Sequence, residues 1–386
     1  MKKLILVFLI AGLSLAVLAQ QITHESLVIN IEVPVRVFKS GQFVDNLTIK
    51  DFIIYEDGKP QQIEAVYLIK KTDIQREEAE MKKDEARKKF SPDVSRHFVL
   101  LFDLTDYLPK IDEALNYFFE QVISPEDTLI VVTPMKSYSF NEETLAALSH
   151  QKIAERLKEI IRRDTILGNG KYNSLIKDYE SIYRADYHFA TKFHLMMEKI
   201  RELKNLRYVE EDKVTYFADY LKSIPGQKFA FFFYQKELLP FPDIPVESRE
   251  YLELQSELAF FTSFDTKNIT RAYSDSSISL HFLYVTKTQM AQGDVENTGQ
   301  TRMKMQEMSI DIFNTFNEIA KATGGLSESS TNVASLLKKA ADASENYYLL
   351  YYSPKSYMRD GKFKKIEVKV KNKNYRITHR AGYLAN

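Results

Sequence analysis

Four uninterrupted apolar runs, at 97–102, 128–133, 228–234 and 279–285, set the terms on which this chain can fold. Continuous hydrophobicity bounded by polar residues marks a strand covered on both faces, the situation of strands in a parallel sheet. Between the runs the apolar residues keep helical spacing, as in Ile111, Leu115, Phe118, Phe119 and Val122. Strands alternating with helices predict an α/β domain with a mainly parallel sheet, spanning 95–344. The crossover between the second and third runs is too long for one helix. Leu145, Leu148, Ile153, Leu157 and Ile160 keep helical spacing, the 168–170 segment breaks it, and helical character resumes from 176 to 221. Residues 141–222 are therefore expected to form a helical insert over the sheet. A helix over 303–322 is stopped by Gly324 and Gly325.

Both chain ends read differently. From Ile29 to Val37 apolar and polar residues alternate, the pattern of a half-buried strand, with Pro34 suggesting an edge or a bulge. A second strand at 52–55 is closed by Glu56-Asp57-Gly58-Lys59-Pro60, a strong hairpin signal, and a third follows at 63–69. Three short strands cannot close a core alone. Residues 347–352, 363–370 and 375–379 supply more β pattern, read as a three-strand meander. The expectation is a discontinuous β-sandwich made of 22–70 and 345–386. Between the first part and the α/β domain lies a densely charged stretch, 71–94, in which Glu78–Lys82, Asp84–Lys88 and Glu85–Lys89 have i,i+4 spacing; it predicts a solvated helical linker.

The first nineteen residues carry Lys2 and Lys3, an apolar stretch from Leu4 to Leu18, and Val17-Leu18-Ala19 as a small-x-small cleavage site. This is the layout of a secretory signal peptide, and it predicts export to the periplasm or beyond without membrane insertion after cleavage. The stretch is short, and Gly12 and Ser14 interrupt it, which argues against a membrane span. Cysteine is absent, so disulfides, thiolate nucleophiles and cysteine-ligated metals are excluded. Lys+Arg and Asp+Glu balance at 53 each, leaving no bulk field to attract nucleic acid.

Several segments together resemble one family. Val33-Pro34-Val35-Arg36-Val37-Phe38, the Asp51–Phe52 pair, and the Tyr55-to-Gln61 segment resemble the start of the bacterial VWFA-related proteins, first noted in Acidobacteria. The run from Tyr348 through Ser353-Pro354, the segment from Asp360-Gly361 to Lys369, and Arg380-Ala381-Gly382-Tyr383 resemble that family's ending. The middle resembles a von Willebrand factor type A domain, with Leu101-Phe102-Asp103 closing its first strand. The resemblance implies a Rossmann-like type A sheet. It also implies a metal-ion-dependent adhesion site, in which Asp-x-Ser-x-Ser, a Thr and an Asp from three loops hold Mg²⁺ or Mn²⁺ and leave one position for a partner's carboxylate.

The residues depart from that pattern. The first loop reads Asp103-Leu104-Thr105-Asp106-Tyr107: Asp103 stands, Thr105 keeps a hydroxyl, and Tyr107 replaces the second Ser. The second loop would fall near 168–171, which has no Thr and carries Lys171. The third reads Gln235-Lys236-Glu237 in place of an Asp. Asp103, Thr105, Asp106 and Glu237 are thus remnants of a degenerate site, and no metal or cofactor is expected; Mg²⁺ or Mn²⁺ through Asp106 or Glu237 is the alternative. No H-E-x-x-H, G-x-S-x-G or complete phosphate loop is present. The expectation is a non-enzymatic exported module that binds a protein or an envelope component. A hydrolase without a recognisable motif and a metal-dependent adhesin with a non-standard site are the competing readings.

Overall fold

Val33, Val35 and Val37 alternate along β1 (Ile31–Lys39), and in the computed structural model that stripe enters one hydrophobic core while Arg36 reaches the opposite way. The structure describes residues 29–79, 85, 89–90, 92–206, 211–235, 238–242, 244–259, 265–286, 304–307, 310–355 and 357–386. The expected signal peptide, 1–19, lies outside them. After β1 come the short β2 (Gln42–Phe43), β3 (Phe52–Glu56) and β4 (Lys59–Gln61). Asp57 and Gly58 join β3 to β4 with φ of 47° and 77°, the two positive values that a tight hairpin turn requires. β5 (Ala65–Lys70) and β6 (Asp73–Ala79) follow.

The α/β part begins with β7 (Arg96–Asp103) and α1 (Lys110–Tyr117), which runs into a π-helical turn, Phe118–Val122. β8 (Thr128–Val132) and β9 (Ser137–Phe140) form a hairpin. Five helices come next: α2 (Glu142–Ala147), α3 (His150–Gly168), α4 (Gly170–Arg184), α5 (Phe189–Leu206) and α6 (Glu211–Lys222). Asn141 and Ser149 cap the first two by accepting from the Thr144 and Lys152 amides. β10 (Gln227–Gln235), β11 (Leu238–Phe241), α7 (Arg249–Ala259), α8 (Thr266–Asp275), β12 (Ile278–Val285), β13 (Lys304–Glu307), α9 (Ile310–Ala322), β14 (Ser327–Ser330) and α10 (Val333–Glu345) complete it. The chain ends with β15 (Asn346–Tyr352), β16 (Phe363–Val370), β17 (Arg376–His379) and β18 (Gly382–Leu384).

These strands build three main sheets. The outer sheet has the order β18-β16-β3-β4, and the shared sheet the order β17-β1-β15-β5-β6 with β2 appended to β1; both are antiparallel throughout. The central sheet has the order β14-β12-β10-β7-β8-β9. Its inner pairs run parallel and its β8–β9 edge antiparallel. A mainly parallel, Rossmann-like type A sheet is therefore the wrong class for this chain. The fold is a mixed α/β one, in which antiparallel sheets hold most of the described strand pairings and the central sheet is itself mixed. The reason is physical. An apolar run reports that both faces of a strand are covered; it does not report the direction of its neighbours.

β15 makes the point. Tyr347, Leu349 and Tyr351 pack with Phe98, Phe229 and α10, whereas Tyr348, Leu350 and Tyr352 pack with Ile54, Ile366 and Val368 of the outer sheet. The period-2 alternation sends the two sets to two different cores, so an antiparallel strand reads as a continuous apolar run. The shared sheet is thus the middle layer between the outer sheet and the α/β part. The central sheet is likewise covered twice: Phe98, Leu100, Phe231 and Phe233 face α1, α3 and α10, while Val99, Phe232 and Phe282 face α6, α8 and α9.

Two local expectations change as well. Residues 73–79, expected within a helical linker at 71–94, form β6 against β5, because the sheet edge supplies backbone partners that charge spacing cannot reveal. The C-terminal strands are not a meander. β15 and β17 flank β1 in the shared sheet, and β16 lies between β3 and β18 in the outer one. Pro34 sits within β1 where β15 pairs and β17 does not yet reach, so the proline costs one side of the strand nothing. The helix α9 ends as its glycines suggest. Gly324 has φ of 75°, and Gly325 N donates to Ala320 O at 2.9 Å, closing the left-handed cap.

Candidate functional site

The C-terminal ends of β7, β8 and β10 meet the joint between α3 and α4, and this is where the sequence-derived candidates fall. Parallel strands bring their C-terminal ends to one side of a sheet, so residues far apart in the chain converge there. Asp103 is the last residue of β7, exposed, opposite Tyr234 in the parallel register. Thr105 and Asp106 follow on the loop.

The organising residue is Gln235, the last of β10 and fully buried. Its Oε1 accepts from Thr105 Oγ1 at 3.1 Å and from the Asp106 amide at 2.8 Å. A neutral amide therefore draws the loop after β7 onto the end of β10. The Nε2 of Gln235 is buried with no hydrogen-bond partner among the described residues. Tyr107, expected to displace a ligand oxygen, turns away: its hydroxyl donates to Asp112 and its ring lies under the Arg162 guanidinium at 4.9 Å. Burial, reinforced by Asp112, pushes the Tyr107 phenol well above its ordinary value, so it stays protonated.

The α3–α4 joint reaches the same loop. Asn169 Nδ2 donates to Leu104 O and to Thr165 O, both at 2.7 Å. Gly168 is forced by contact, since a Cβ there would fall 2.5 Å from the Cβ of Pro134 in the β8–β9 turn. Next to it Asp164 accepts from Thr133 Oγ1 at 2.9 Å and Tyr138 OH at 2.6 Å, with Arg163 alongside at 2.8 Å. Burial opposes the Asp164 charge, but these hydrogen bonds outweigh it and hold the carboxyl below its ordinary value. Lys171, expected to oppose a dication here, instead pairs with Glu202 of α5 at 3.3 Å.

Among the ligand positions that the resemblance implied, then, the structure brings Asp103, Thr105 and Asp106 together with Gln235. Glu237 and Lys236 lie outside the described residues. No group of three or more His, Asp or Glu side chains suited to a metal occurs among the described residues. Sequence reading missed Asp164, Thr133 and the bridging use of Asn169. Thr133 closes an apolar run and so looked like a strand end, and Asp164 lies in the middle of a helix whose charges otherwise face solvent.

The rim of this end is apolar. Met135 is 51% exposed in the β8–β9 turn, and Ile166 and Leu167 are 61% and 58% exposed just before Gly168. Three large apolar side chains thus stand exposed on adjoining turns.

Among the described residues the histidines form no constellation. His97 Nδ1 lies 2.7 Å from Thr128 Oγ1, and His150 Nδ1 donates to Phe119 O at 3.0 Å. His281, wholly buried, stacks on Phe231 and contacts Ser344 Oγ at 2.9 Å. Among the described residues no helix is long and apolar enough to cross a membrane.

Comparison with known proteins adds little. No protein-family model and no curated protein matches the chain. Among solved structures, the human COPII-coat protein Sec24c is similar with a TM-score of 0.32 and 7% identity, over 76% of this chain and 44% of that one. The chain thus spans less than half the length of that protein, and at this level the likeness assigns neither fold nor function.

Proposed function

We propose that this chain is an exported, non-enzymatic binding module of the bacterial VWFA-related kind, which captures a protein or envelope component at the C-terminal end of its central sheet without using a metal. The observation that carries the reading is Gln235. A metal-ion-dependent adhesion site needs anionic oxygens from three loops at about 2.0–2.1 Å around Mg²⁺. Here an amide oxygen already satisfies the Thr105 hydroxyl and the Asp106 amide. The neighbouring Met135, Ile166 and Leu167 supply apolar area, and Asp103 and Asp106 a polar centre. Large apolar side chains exposed beside a few polar groups are a composition suited to contact with another protein.

The test uses the full mature chain, immobilised and challenged with envelope extract, and compared with a Met135→Ser, Ile166→Ser double variant. Capture that survives EDTA and is lost in the double variant, with melting unchanged, supports the reading. Mg²⁺-dependent capture abolished by Asp103→Ala replaces it with metal-dependent adhesion. Turnover in a hydrolase panel, abolished by one carboxylate substitution, replaces it with an enzyme. Export is tested by N-terminal sequencing of the secreted protein, which should begin at Gln20.

A further inference from the structure

A cleft of about 590 Å³ opens on the far side of the molecule, where α9 and β14 of the α/β part face β16 and β17 of the β layers. Its walls hold three cations from three elements: Lys321 of α9, Lys365 of β16 and Arg376 of β17. None of them has an ion pair among the described residues. The single carboxylate on the walls, Glu367, is engaged by Lys369 at 3.1 Å. Surface lysines are common, but three cations against one carboxylate leave this concavity net positive, which favours an anion that enters.

The neutral groups of the cleft fit the same occupant. Thr378 lines it, and its Oγ1 is buried with no hydrogen-bond partner among the described residues. A buried hydroxyl without a partner marks a place where a ligand or water completes the bonding. Asn317 and Ser327 add further donors. His379 brings no charge: its Nδ1 donates to Arg380 O at 2.8 Å and its Nε2 accepts from the Val368 amide at 3.2 Å. Arg376 also borders a second hollow, which contains Glu328 and Asp342, but Glu328 is paired with Lys339 at 3.2 Å and Asp342 accepts from Tyr117 OH at 3.3 Å.

From this arrangement we infer that the cleft is a binding site for a small phosphorylated molecule carrying two phosphate groups, held by Lys321, Lys365 and Arg376. Arg376 supplies the planar fork that matches a phosphate edge, and the two lysines supply point charges for a second group. The volume lies in the range of sites for metabolite-sized ligands. Because the walls come from both the α/β part and the β layers, an occupant would tie them together and raise thermal stability. The site is distant from the Asp103 loop, and this inference does not depend on how that loop functions.

The experiment is calorimetric titration of the full mature chain with pyrophosphate and with a sugar bisphosphate, using sulfate as a control anion, and thermal melting in parallel. The expected result is saturable binding of the phosphorylated probes, a higher melting temperature, and little response to sulfate. Lys365→Ser and Arg376→Gln, on exposed side chains, should each weaken binding about tenfold or more, the scale of one lost charge-assisted hydrogen bond. A Leu252→Ser variant, at an exposed position of α7, should bind as the parent does. Absence of binding by either phosphorylated probe, sulfate binding of equal strength, or undiminished binding in both cleft variants overturns the inference.

Discussion

The two ends of the central sheet are built on opposite principles. At the N-terminal end Arg96 opens β7, and its guanidinium meets Asp127 at 2.6 Å and 2.9 Å, with both side chains almost wholly excluded from solvent. The Ser124 amide completes the Asp127 shell at 2.6 Å. Gln227 opens β10 and donates to Glu32 of β1 at 2.7 Å, which docks this end against the shared sheet. At the C-terminal end the polar residues are Asp103 and Asp106, exposed, around the neutral Gln235, with Met135, Ile166 and Leu167 open to solvent. One end joins layers and buries its charges, Arg96 on Asp127 and Lys228 on the Ile224 carbonyl. The other leaves apolar side chains exposed beside its acidic loop.

The contrast can be broken first at the base. Asp127→Ala leaves Arg96 buried without its partner and should cost about 3–5 kcal/mol in urea unfolding. Burial lifts the Asp127 carboxyl above its ordinary value despite the Arg96 and Ser124 hydrogen bonds, and replacing a buried ion pair with apolar residues of similar volume is often neutral or stabilising. The Arg96→Met, Asp127→Leu double variant should therefore be markedly more stable than Asp127→Ala. If it is not, the pair contributes energy and not only geometry.

Acid probes the same side. His281 is buried beside Arg36, and burial followed by that cation holds its pKa well below 6.5. The unfolded chain takes up the proton first as pH falls, so stability is full above about 6.5 and declines below it. The urea midpoint should fall between pH 7.5 and 5.5, and His281→Gln should flatten the slope. His97 and His379, both also depressed chiefly by burial, act with the same sign and leave a residual slope.

Effects at the open end should be smaller. Gln235→Ala removes two hydrogen bonds at roughly 0.5–1.5 kcal/mol each, and should lower stability by about 1–3 kcal/mol, measured by the same unfolding. A loss as large as that of Asp127→Ala would show that this end also carries the fold. Smallest of all, Met135→Ser and Ile166→Ser should each change stability by less than about 0.5 kcal/mol, since exposed positions lose no packing. A larger loss would mean that the rim is part of a core and not a contact surface.

Legibility follows the range of each interaction. The Asp57-Gly58 turn and the Gly324 cap were readable because the residue type and the backbone conformation sit at one position. The apolar runs of β7, β8, β10 and β12 were readable because burial of both faces leaves its mark along the strand itself. Gln235 was visible only as the residue standing where an Asp was expected. Its hydrogen bonds to Thr105 and the Asp106 amide span about 130 positions of chain, and no local pattern encodes them. The fate of Lys171 was hidden for the same reason, because Glu202 lies on another helix.

Residue order by itself marked the apolar runs of β7, β8, β10 and β12, the turn at Asp57-Gly58 and the end of α9, and it made thiol chemistry impossible. Tertiary structure alone decided strand direction, the division of β15 between two cores, the strand at 73–79, and the meeting of Lys321, Lys365 and Arg376 in one cleft. A side chain's burial and a backbone's preferred angles are settled within a few residues. Partners come from segments more than 300 positions away, as when Tyr348 OH donates to Val44 O at 2.9 Å, and only the folded chain brings them within reach.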